Sequence, residues 1–369
     1  MKFLHIADLH LGKRVCEYSM LEEQQAILTA IAQQAVAEGV GAVLIAGDVY
    51  DRPVPPAEAI ALFSDFLERL HRAGIATLMI AGNHDSAERL CFAAPMLAKQ
   101  GVHVAGACRG VPEAVIFEEG ELRVAVHLLS HFRPAALLPY FNGTRFENSE
   151  QALRAILSGM DLSIADRHVL LAHLFVSGSV TSDSELPVIG TVDAVPRELF
   201  SNFDYVALGH LHRPQSFGSV VYAGSPLCYS FSEAGQQKSA VLVEVTSNGV
   251  TTRRLPLAPI HAMREVKGSM EELMSAPYSE DYIRAVVTDE EVAPDARMTL
   301  RTVYPNLMRF AIENSHTVAQ EEISLGEGVE GRDPFALFAE FFEAQNGTPP
   351  TERQISLMRD ILKEAEVEQ

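Results

Sequence analysis

Five groups of polar residues recur along the first 212 residues, each after a short apolar run. They are Asp8-Leu9-His10, Gly47-Asp48, Gly82-Asn83-His84-Asp85, His173 and Gly209-His210-Leu211-His212. Taken alone, each group has an ordinary explanation, because such histidines are often structural and Asp or Asn is common in turns. Their recurrence favours a shared site, since open α/β sheets build binding sites at the carboxyl ends of their strands.

The residue types in these groups indicate metal chemistry. Aspartate, histidine and asparagine without cysteine suit divalent ions such as Mn²⁺, Fe²⁺ or Zn²⁺ and argue against a thiolate-rich zinc site. Two such ions roughly 3.5–4 Å apart can clamp a phosphate group and stabilise both its attacking and its leaving oxygen. One carboxylate must then bridge the ions, and Asp48 is the natural candidate. The sequence therefore predicts two-metal hydrolysis of a phosphate ester.

Strands and helices alternate at the start of the chain and give way to a strand-rich region. Residues 2–6, 40–45 and 76–80 are predicted as buried strands, and 21–38 and 57–73 as helices that end at a glycine. Later strands are predicted at 115–117, 122–128, 169–172, 205–208, 219–223, 239–245 and 250–255. This order is typical of two sheets packed together and flanked by helices.

The polar groups resemble the pattern of the calcineurin-like metallophosphoesterases, which is D-x-H, G-D, G-N-H-D/E, H and G-H-x-H. The resemblance implies a two-sheet αββα sandwich that binds two divalent metal ions. The first ion would take Asp8, His10, Asp48 and His212, and the second would take Asp48, Asn83, His173 and His210. His84 would instead meet the phosphate and protonate the leaving oxygen, with Asp85 fixing its ring.

Further stretches resemble the SbcD branch of that family, namely 190–196, 204–215, 222–226, 230–233 and Lys238. The branch implies Mn²⁺-dependent cleavage of DNA in repair and recombination, as an exonuclease on double-stranded ends and an endonuclease on single strands and hairpins. It also implies an SbcC-type, SMC-like ATPase as partner and a homodimer within the complex. Asp51 departs from archaeal and eukaryotic relatives, which carry a second catalytic histidine there. It is either a turn residue or a support for the site.

Three parts are expected along the chain. They are a nuclease domain at 1–260, a small α/β capping domain at 261–330 with its clearest strands at 282–287 and 308–312, and a helical tail at 331–369. The tail segments 334–344 and 351–366 hold apolar residues at helical spacing. Segment 334–344 holds more apolar residues than a single buried face of a helix requires. They either dock on their own domain or bind the coiled-coil root of the ATPase.

The net charge of −20 limits what the chain can do alone. Residues 1–260 carry 19 basic and 27 acidic side chains, whereas residues 261–369 carry 10 and 22. Because binding DNA normally needs Lys and Arg to neutralise phosphates, we expect this chain alone to hold DNA weakly. The candidate phosphate contacts, which lie near the motifs, are Lys13, Arg14, Arg52, Arg89 and Arg213.

The composition, 47% hydrophobic and 21% charged, is that of a globular protein. No stretch approaches the roughly 18 apolar residues of a membrane span, and the first residues do not read as a signal peptide. The four cysteines are scattered, as expected of reduced thiols in the cytoplasm.

Three other functions remain open. A small-molecule phosphodiesterase or nucleotidase would use the same metal core. A phosphoprotein phosphatase is disfavoured because Pro53 and Asp85 depart from its pattern. A catalytically inactive scaffold is disfavoured because every ligand position of the family pattern is intact.

Overall fold

The computed structural model describes residues 1–185, 194–315, 342, 349–351, 353–355 and 357–358. The predicted helix at 334–344 apart from Phe342, most of the one at 351–366 and the start of the 190–196 stretch lie outside the described residues. The described residues fall into two compact units. The first contains Met1–Glu265, Ser279–Arg284 and Tyr304–Arg309, and the second contains Val266–Tyr278, Ala285–Val303 and the described residues from Phe310 onward.

The elements are numbered in chain order. The strands are β1 (Lys2–Ile6), β2 (Arg14–Val15), β3 (Tyr18–Ser19), β4 (Ala42–Ile45), β5 (Ala76–Ile80), β6 (Val102–Ala105), β7 (Ala114–Glu119), β8 (Leu122–Leu129), β9 (Arg167–His173), β10 (Tyr205–Gly209), β11 (Gln215–Phe217), β12 (Val220–Tyr222), β13 (Ser239–Thr246), β14 (Gly249–Pro256), β15 (Met263–Gly268), β16 (Tyr282–Val287) and β17 (Leu307–Ile312). The helices are α1 (Leu21–Glu38), α2 (Ala57–Arg72), α3 (Ala87–Leu90), α4 (Ala94–Ala98), α5 (Ser149–Ser158), α6 (Met270–Ser275) and α7 (Ala296–Leu300).

Two six-stranded sheets form the first unit, in the orders β14-β13-β1-β4-β5-β6 and β11-β12-β10-β9-β8-β7. In the first sheet β1, β4, β5 and β6 are parallel, and β13 runs antiparallel to β1. In the second sheet β8, β9, β10 and β12 are parallel. The parallel strands of each sheet therefore end at a common edge.

The core has three layers because both faces of each sheet are covered. Phe3 and Leu44 of the first sheet pack against Val126 and Leu171 of the second, between the sheets. Residues adjacent to these on the strands point outward: Leu4 packs under α1 and α2, and Leu170 packs under α5. Strands buried on both faces read as near-continuous apolar runs, as Ala42–Ile45 does. The predicted two-sheet αββα architecture is confirmed.

The long helices begin and end where local chemistry allows. Gly39 follows α1 with φ 64°, a left-handed cap that glycine adopts without strain. Pro56 precedes α2, and the Asn148 side chain accepts a hydrogen bond from the backbone N–H of Gln151 at the start of α5. Leu21–Glu38 and Ala57–Arg72 lie where helices are predicted, whereas α5 is not foreseen.

A three-stranded sheet in the order β15-β16-β17 follows the two large sheets. Tyr282–Val287 coincides with a predicted strand, and Leu307–Ile312 begins one residue before its prediction. In α6 the Ser269 and Glu272 side chains form a capping box. Among the described residues, no helix is both long and apolar enough to cross a membrane.

Candidate metal centre

The candidate ligands lie at the carboxyl ends of parallel strands in both sheets. Asp8 and His10 follow β1, Asp48 follows β4, and Asn83 follows β5. In the second sheet His173 ends β9, and His210 and His212 follow β10. All of them belong to the first unit. The pairing of the sheets thus brings loops from distant parts of the sequence to one place.

The side chains of all seven predicted ligands meet in one cluster centred on Asp48. Asp48 Oδ2 lies 3.7 Å from His10 Nε2 and 3.4 Å from His173 Nε2. On one side, His10 Nε2 is 3.0 Å from His212 Nε2. On the other side, Asn83 Oδ1 is 2.9 Å from His173 Nε2 and 3.1 Å from His210 Nδ1. Asp48 therefore contacts histidines on both sides of the cluster.

Two groups of side chains among the described residues could each hold an ion, and both include Asp48. The first combines Asp48 with His10 and His84, and the second combines it with Asp8 and His173. Asp8 Oδ1 is 3.9 Å from His173 Nδ1. This grouping differs from the predicted division in two respects, because Asp8 is placed with His173 and His84 lies among the ligands.

Four of the eight described non-glycine residues with positive φ lie at the cluster. Asp8, His10, Asp48 and His210 have φ of 54°, 44°, 50° and 102°, in the left-handed region that favours glycine. Such conformations cost about 1–3 kcal/mol each and persist where the surroundings impose them, commonly at functional sites. The first three are fixed by bonds between loops: Asp8 and His10 N–H donate to the carbonyls of Gly47 and Asp48.

The glycines of the motifs are required by close contacts. A Cβ on Gly47 would lie 2.8 Å from Cγ of His173, and a Cβ on Gly82 would lie 2.8 Å from Cγ of Asp48. A Cβ on Gly209 would lie 2.9 Å from Nδ1 of His173, inside normal contact distance. The absence of a side chain at Gly47, Gly82 and Gly209 therefore leaves room for a candidate ligand.

Hydrogen bonds to the far ring nitrogens orient the histidines. His173 Nδ1 is 2.8 Å from the carbonyl of Ala46, and His84 Nδ1 is 2.9 Å from the carbonyl of Asp51. A carbonyl can only accept, so Nδ1 carries a proton in both rings and Nε2 is the ring nitrogen that remains to act. Metal-binding histidines are commonly fixed in this way.

The structure corrects the expected role of Asp85. Its Oδ2 accepts hydrogen bonds from the backbone N–H of Gly82 at 3.0 Å and Val49 at 3.1 Å, and its Oδ1 accepts one from Tyr50 at 2.9 Å. Asp85 therefore ties two loops together and does not fix the ring of His84, which Asp51 holds. The Asp85 side chain points away from its neighbour because consecutive loop residues diverge.

Asp51 is more than a turn residue. Its carbonyl holds His84, and its Oδ1 lies 3.6 Å from His10 Nδ1 and 2.6 Å from Lys13 Nζ. Lys13 Nζ also lies 5.6 Å from the centre of the Tyr229 ring. This geometry favours the second of the two interpretations of Asp51, in which it supports the site.

The electrostatics of the cluster fit cation binding. Burial raises the pKa of Asp8 to about 7, against the charges of His173 and His212. Burial opposes ionisation of Asp48 too, but the charge and hydrogen bond of His173 hold its pKa well below its usual range. Asp8 Oδ2 is buried without a hydrogen-bond partner among the described residues, and such an atom is costly. A divalent ion would relieve both the buried charge and the unpaired oxygen.

The histidines divide into two kinds. Burial lowers the pKa of His210 to about 3, and burial holds the pKa of His10 well below its usual range. For His173, burial acts in the same direction, but the charge of Asp48 outweighs it and raises the pKa to about 9. Neutral imidazoles are the form that binds metal, and His173 would give up its proton to an ion.

A buried ion pair supports His212 from behind. Glu233 Oε1 is 3.2 Å from His212 Nδ1, and Glu233 Oε2 is 2.6 Å from Lys238 Nζ. Burial opposes ionisation of Glu233, but the hydrogen bond from His212 and the charge of Lys238 hold its pKa below its usual range. In the sequence, Glu233 and Lys238 are singled out only because they resemble the SbcD branch, and no role is predicted for either.

Two of the five candidate phosphate contacts are paired with Asp51. Lys13 is engaged by Asp51, and the exposed Arg52 also faces Asp51, with Nε 3.7 Å from Oδ2. Arg14, Arg89 and Arg213 are exposed. Arg213 directly follows the candidate ligand His212, so it is the exposed arginine placed nearest to the cluster by the chain.

Comparison with known proteins decides the family. Residues 1–214 match the family described as calcineurin-like phosphoesterase, and residues 259–346 match the SbcD_C family, described as type 5 capsule protein repressor C-terminal domain. A relative from Staphylococcus epidermidis, named as a nuclease SbcCD subunit, is 33% identical over 322 residues, 84% of this chain and 85% of the relative. The chain belongs to the calcineurin-like phosphoesterases, in their SbcD group.

One further relative agrees with this assignment, and two solved structures show limited similarity to the chain. A second relative with the same name, from Staphylococcus saprophyticus, is 32% identical over 318 residues, 84% of each chain. A solved dimetal phosphatase from Danio rerio has a TM-score of 0.43 and 12% identity over 69% of this chain and 95% of its own. A calcineurin-like phosphoesterase from Bacillus subtilis has a TM-score of 0.41 and 12% identity over 70% and 90%.

Proposed function

We propose that the chain is a two-metal nuclease subunit that hydrolyses phosphodiester bonds in DNA. The observation that carries the proposal is the position of Asp48, buried between two groups of imidazole and amide ligands. The relatives named as nuclease SbcCD subunits point to DNA as the substrate. We propose Mn²⁺ as the ion, with exonuclease action on double-stranded ends and endonuclease action on single strands and hairpins.

The residues that would hold the ions are the seven that meet at the cluster. Asp48 would bridge, with Asp8, His10 and His212 as one ligand set and Asn83, His173 and His210 as the other, although Asp8 also lies beside His173. When bound, two ions polarise the phosphodiester and activate the attacking water. The buried Asp8 oxygen without a partner and the fixed Nε2 of His173 both fit this use.

His84 is proposed to donate the proton to the leaving oxygen. Its Nδ1 is held by the Asp51 carbonyl, so the ring edge that carries Nε2 is free to meet the substrate. The His84 ring centre is 4.8 Å from that of His10, which places it beside the cluster. A positioned general acid contributes about 10²–10⁴-fold to rate.

We propose that a polar groove, whose lining begins with the residue after the candidate ligand His212, contacts DNA phosphates. Its volume is about 450 Å³, and its lining includes Arg213, Arg254 and the amides of Gln215, Gln236 and Gln237. None of the described residues that line it is acidic, in a chain with 49 acidic residues. Guanidinium and amide groups are donors that phosphate oxygens accept.

The strand β14 provides a matched pair of variants for this groove. Arg254 lines the groove, whereas Arg253 points to the opposite face, where its Nη2 is 2.8 Å from Glu38 Oε2. Arg254→Ala should weaken DNA binding and lower its salt dependence by about one phosphate contact. Arg253→Ala removes the same charge and should leave DNA binding unchanged. Equal effects of the two variants would contradict a DNA path along this groove.

The partner proposed for the tail at 331–369 is an SbcC-type, SMC-like ATPase, which would supply the DNA affinity that this acidic chain lacks.

A homodimer is proposed as well. Phe92 and Met96 are 82% and 72% exposed, and neighbouring exposed apolar side chains are typical of an interface. Light scattering should give the mass of a dimer, and a mass that stays that of one chain at high concentration would refute it.

The decisive experiment is digestion of end-labelled hairpin DNA with Mn²⁺, with and without the ATPase, beside a chromogenic phosphodiester. Cleavage of DNA that a chelator abolishes is the expected result. Hydrolysis of the chromogenic ester alone, even with the ATPase present, would favour a small-molecule phosphodiesterase. Purified protein that takes up no metal and hydrolyses neither substrate would be the inactive scaffold.

A further inference from the structure

Almost every polar atom of His212 is held by a neighbour. Its backbone N–H donates to Glu185 Oε1, and its carbonyl accepts from the Ser225 N–H at 3.1 Å and from Lys238 Nζ at 2.9 Å. Its ring Nδ1 is 2.9 Å from Ser184 Oγ. The remaining polar atom, Nε2, faces His10 Nε2 at 3.0 Å. Nε2 is therefore the ring nitrogen of His212 that is left to bind an ion.

Glu233 is the acceptor that defines the ring's protonation. Its Oε1 is 3.2 Å from His212 Nδ1 and also accepts from the Ser184 hydroxyl at 2.6 Å. A carboxylate facing Nδ1 keeps the ring proton on that nitrogen, so Nε2 presents its lone pair to the cluster. The Ser184 hydroxyl donates to the same carboxylate and adds a second contact to the ring.

Lys238 holds Glu233 in turn. Both side chains are buried, with relative exposures of 4% for the lysine and 0% for the glutamate. Lys238 Nζ donates to Glu233 Oε2 at 2.6 Å and to Ser225 Oγ at 3.0 Å. A buried pair of charges is expensive to remove from water, so its retention behind one ring points to a role beyond packing.

We propose that Glu233 is a positioning residue for ion binding, which aims His212 Nε2 at the cluster with Lys238 and Ser184 as its supports. The inference rests on the proposed metal centre and extends it to residues that do not touch the ion. It also links the turn at Asp183–Glu185 to the same ring, since Ser184 and Glu185 both hold His212. Loss of such a support typically lowers metal affinity by about 10–100-fold.

Glutamine cannot replace Glu233 at this position. If the Gln oxygen faced His212 Nδ1, its amide group would face Lys238 Nζ, which is a donor and has no lone pair to offer. Turning the amide would place a donor against the Nδ1 proton of His212. Glu233→Gln therefore breaks the arrangement in either orientation, while Glu233→Gln/Lys238→Met removes the conflict and leaves an acceptor for Nδ1.

The test is titration of metal-free protein with Mn²⁺ by calorimetry, with apo thermal unfolding measured beside it. Wild type should take up two ions. Glu233→Gln should weaken one of the two by about 10–100-fold, and the double variant should recover most of that loss. Ser184→Ala, which removes a hydroxyl without disturbing a charge, should weaken the same ion in the same direction and serves if Glu233→Gln fails to fold.

The matched control is Asp204→Asn, which disrupts a partly buried acid–base pair remote from the cluster. Asp204 Oδ1 is 2.8 Å from Arg167 Nη1, and its Oδ2 accepts from the His168 N–H. It should lower the unfolding temperature and leave both ion affinities unchanged. Lowered stability with unchanged affinities in Glu233→Gln and Ser184→Ala would overturn the inference, while a wild type that binds no Mn²⁺ would overturn the metal centre itself.

Discussion

Replacing Gly82 by alanine should disable the proposed metal centre without removing any ligand. The backbone at Gly82 is not left-handed, so a side chain there is limited by space alone. The added Cβ would lie 2.8 Å from Cγ of Asp48 and closer still to its backbone nitrogen and Oδ1. Carbon atoms pack best at about 3.5–4.0 Å, so the Asp48 carboxyl group must retreat by about 1 Å.

A displacement of that size has a predictable cost. Asp48 contacts both His10 and His173, and its Oδ1 accepts the His84 N–H at 2.9 Å, so its movement disturbs both sides of the cluster. A misplacement of about 1 Å can cost about 10²-fold in rate. We expect Gly82→Ala to lower the turnover of hairpin DNA with Mn²⁺ by about that factor and to weaken Mn²⁺ binding in titration.

Gly41→Ala is the matched control for this prediction. Gly41 also lies beside a strand of the first sheet, and an added Cβ would meet only the Lys2 carbonyl, at 3.7 Å. That is ordinary contact, so turnover and Mn²⁺ affinity should stay at the wild-type level. Normal turnover and normal Mn²⁺ binding in folded Gly82→Ala would refute the reasoning, because Asp48 could then move without consequence.

Three further predictions test the proposed roles. Asp48→Asn should reduce DNA cleavage more than substitution of any other single ligand, because it alone would serve both ions; a near-normal rate with full Mn²⁺ content would contradict bridging. His84→Ala should keep both ions and DNA binding while turnover falls by about 10²-fold or more, whereas loss of an ion in metal analysis would make it a ligand. Deletion of residues 332–369 should abolish co-purification with the ATPase, and an unchanged yield of complex would exclude the tail as the contact.

The convergence of the candidate ligands is predictable from sequence because it depends on parallel strands. Lys2–Ile6 and Ala76–Ile80 are strands at their predicted bounds, since each is a short, mostly apolar run that a polar or glycine residue follows within two positions. Once such strands lie side by side, the residues that follow them share one edge of the sheet. The motif residues Asp8 and Asn83 are therefore placed at the same edge of the sheet, on either side of the strand that precedes Asp48.

Elements without a strong local pattern are not predictable in the same way. The hairpin of β2 and β3 has two residues in each strand, and its turn residues Cys16 and Glu17 have φ of 46° and 68° without a glycine. The usual turn signal, Asn-Gly or Asp-Gly, is absent from it. Helix α5 carries an Asn148 cap, but one capping residue is too weak a signal to define a helix.

Residues that support the ligands are the hardest to predict, because their partners come from other loops. Asp85 follows His84, yet its carboxylate binds the backbone of Val49 and Tyr50, and the ring of His84 is held by Asp51. Which residue holds the His84 ring depends on how the loops after β4 and β5 lie against each other. The spacing of residues within either loop does not encode that arrangement. Motif spacing can therefore identify the groups that face the substrate, while the groups behind them are identified only from the fold.

The same argument explains the left-handed backbone at Asp8, His10 and Asp48. Local preference would put glycine at these positions, and the cluster needs carboxylate or imidazole there instead. The neighbouring loops impose the conformation through bonds such as Asp8 N–H to the Gly47 carbonyl at 3.1 Å. The stability of the fold thus maintains a strained backbone at these three candidate ligands. Asp8, His10 and Asp48 are also positions where the sequence motifs indicate chemistry.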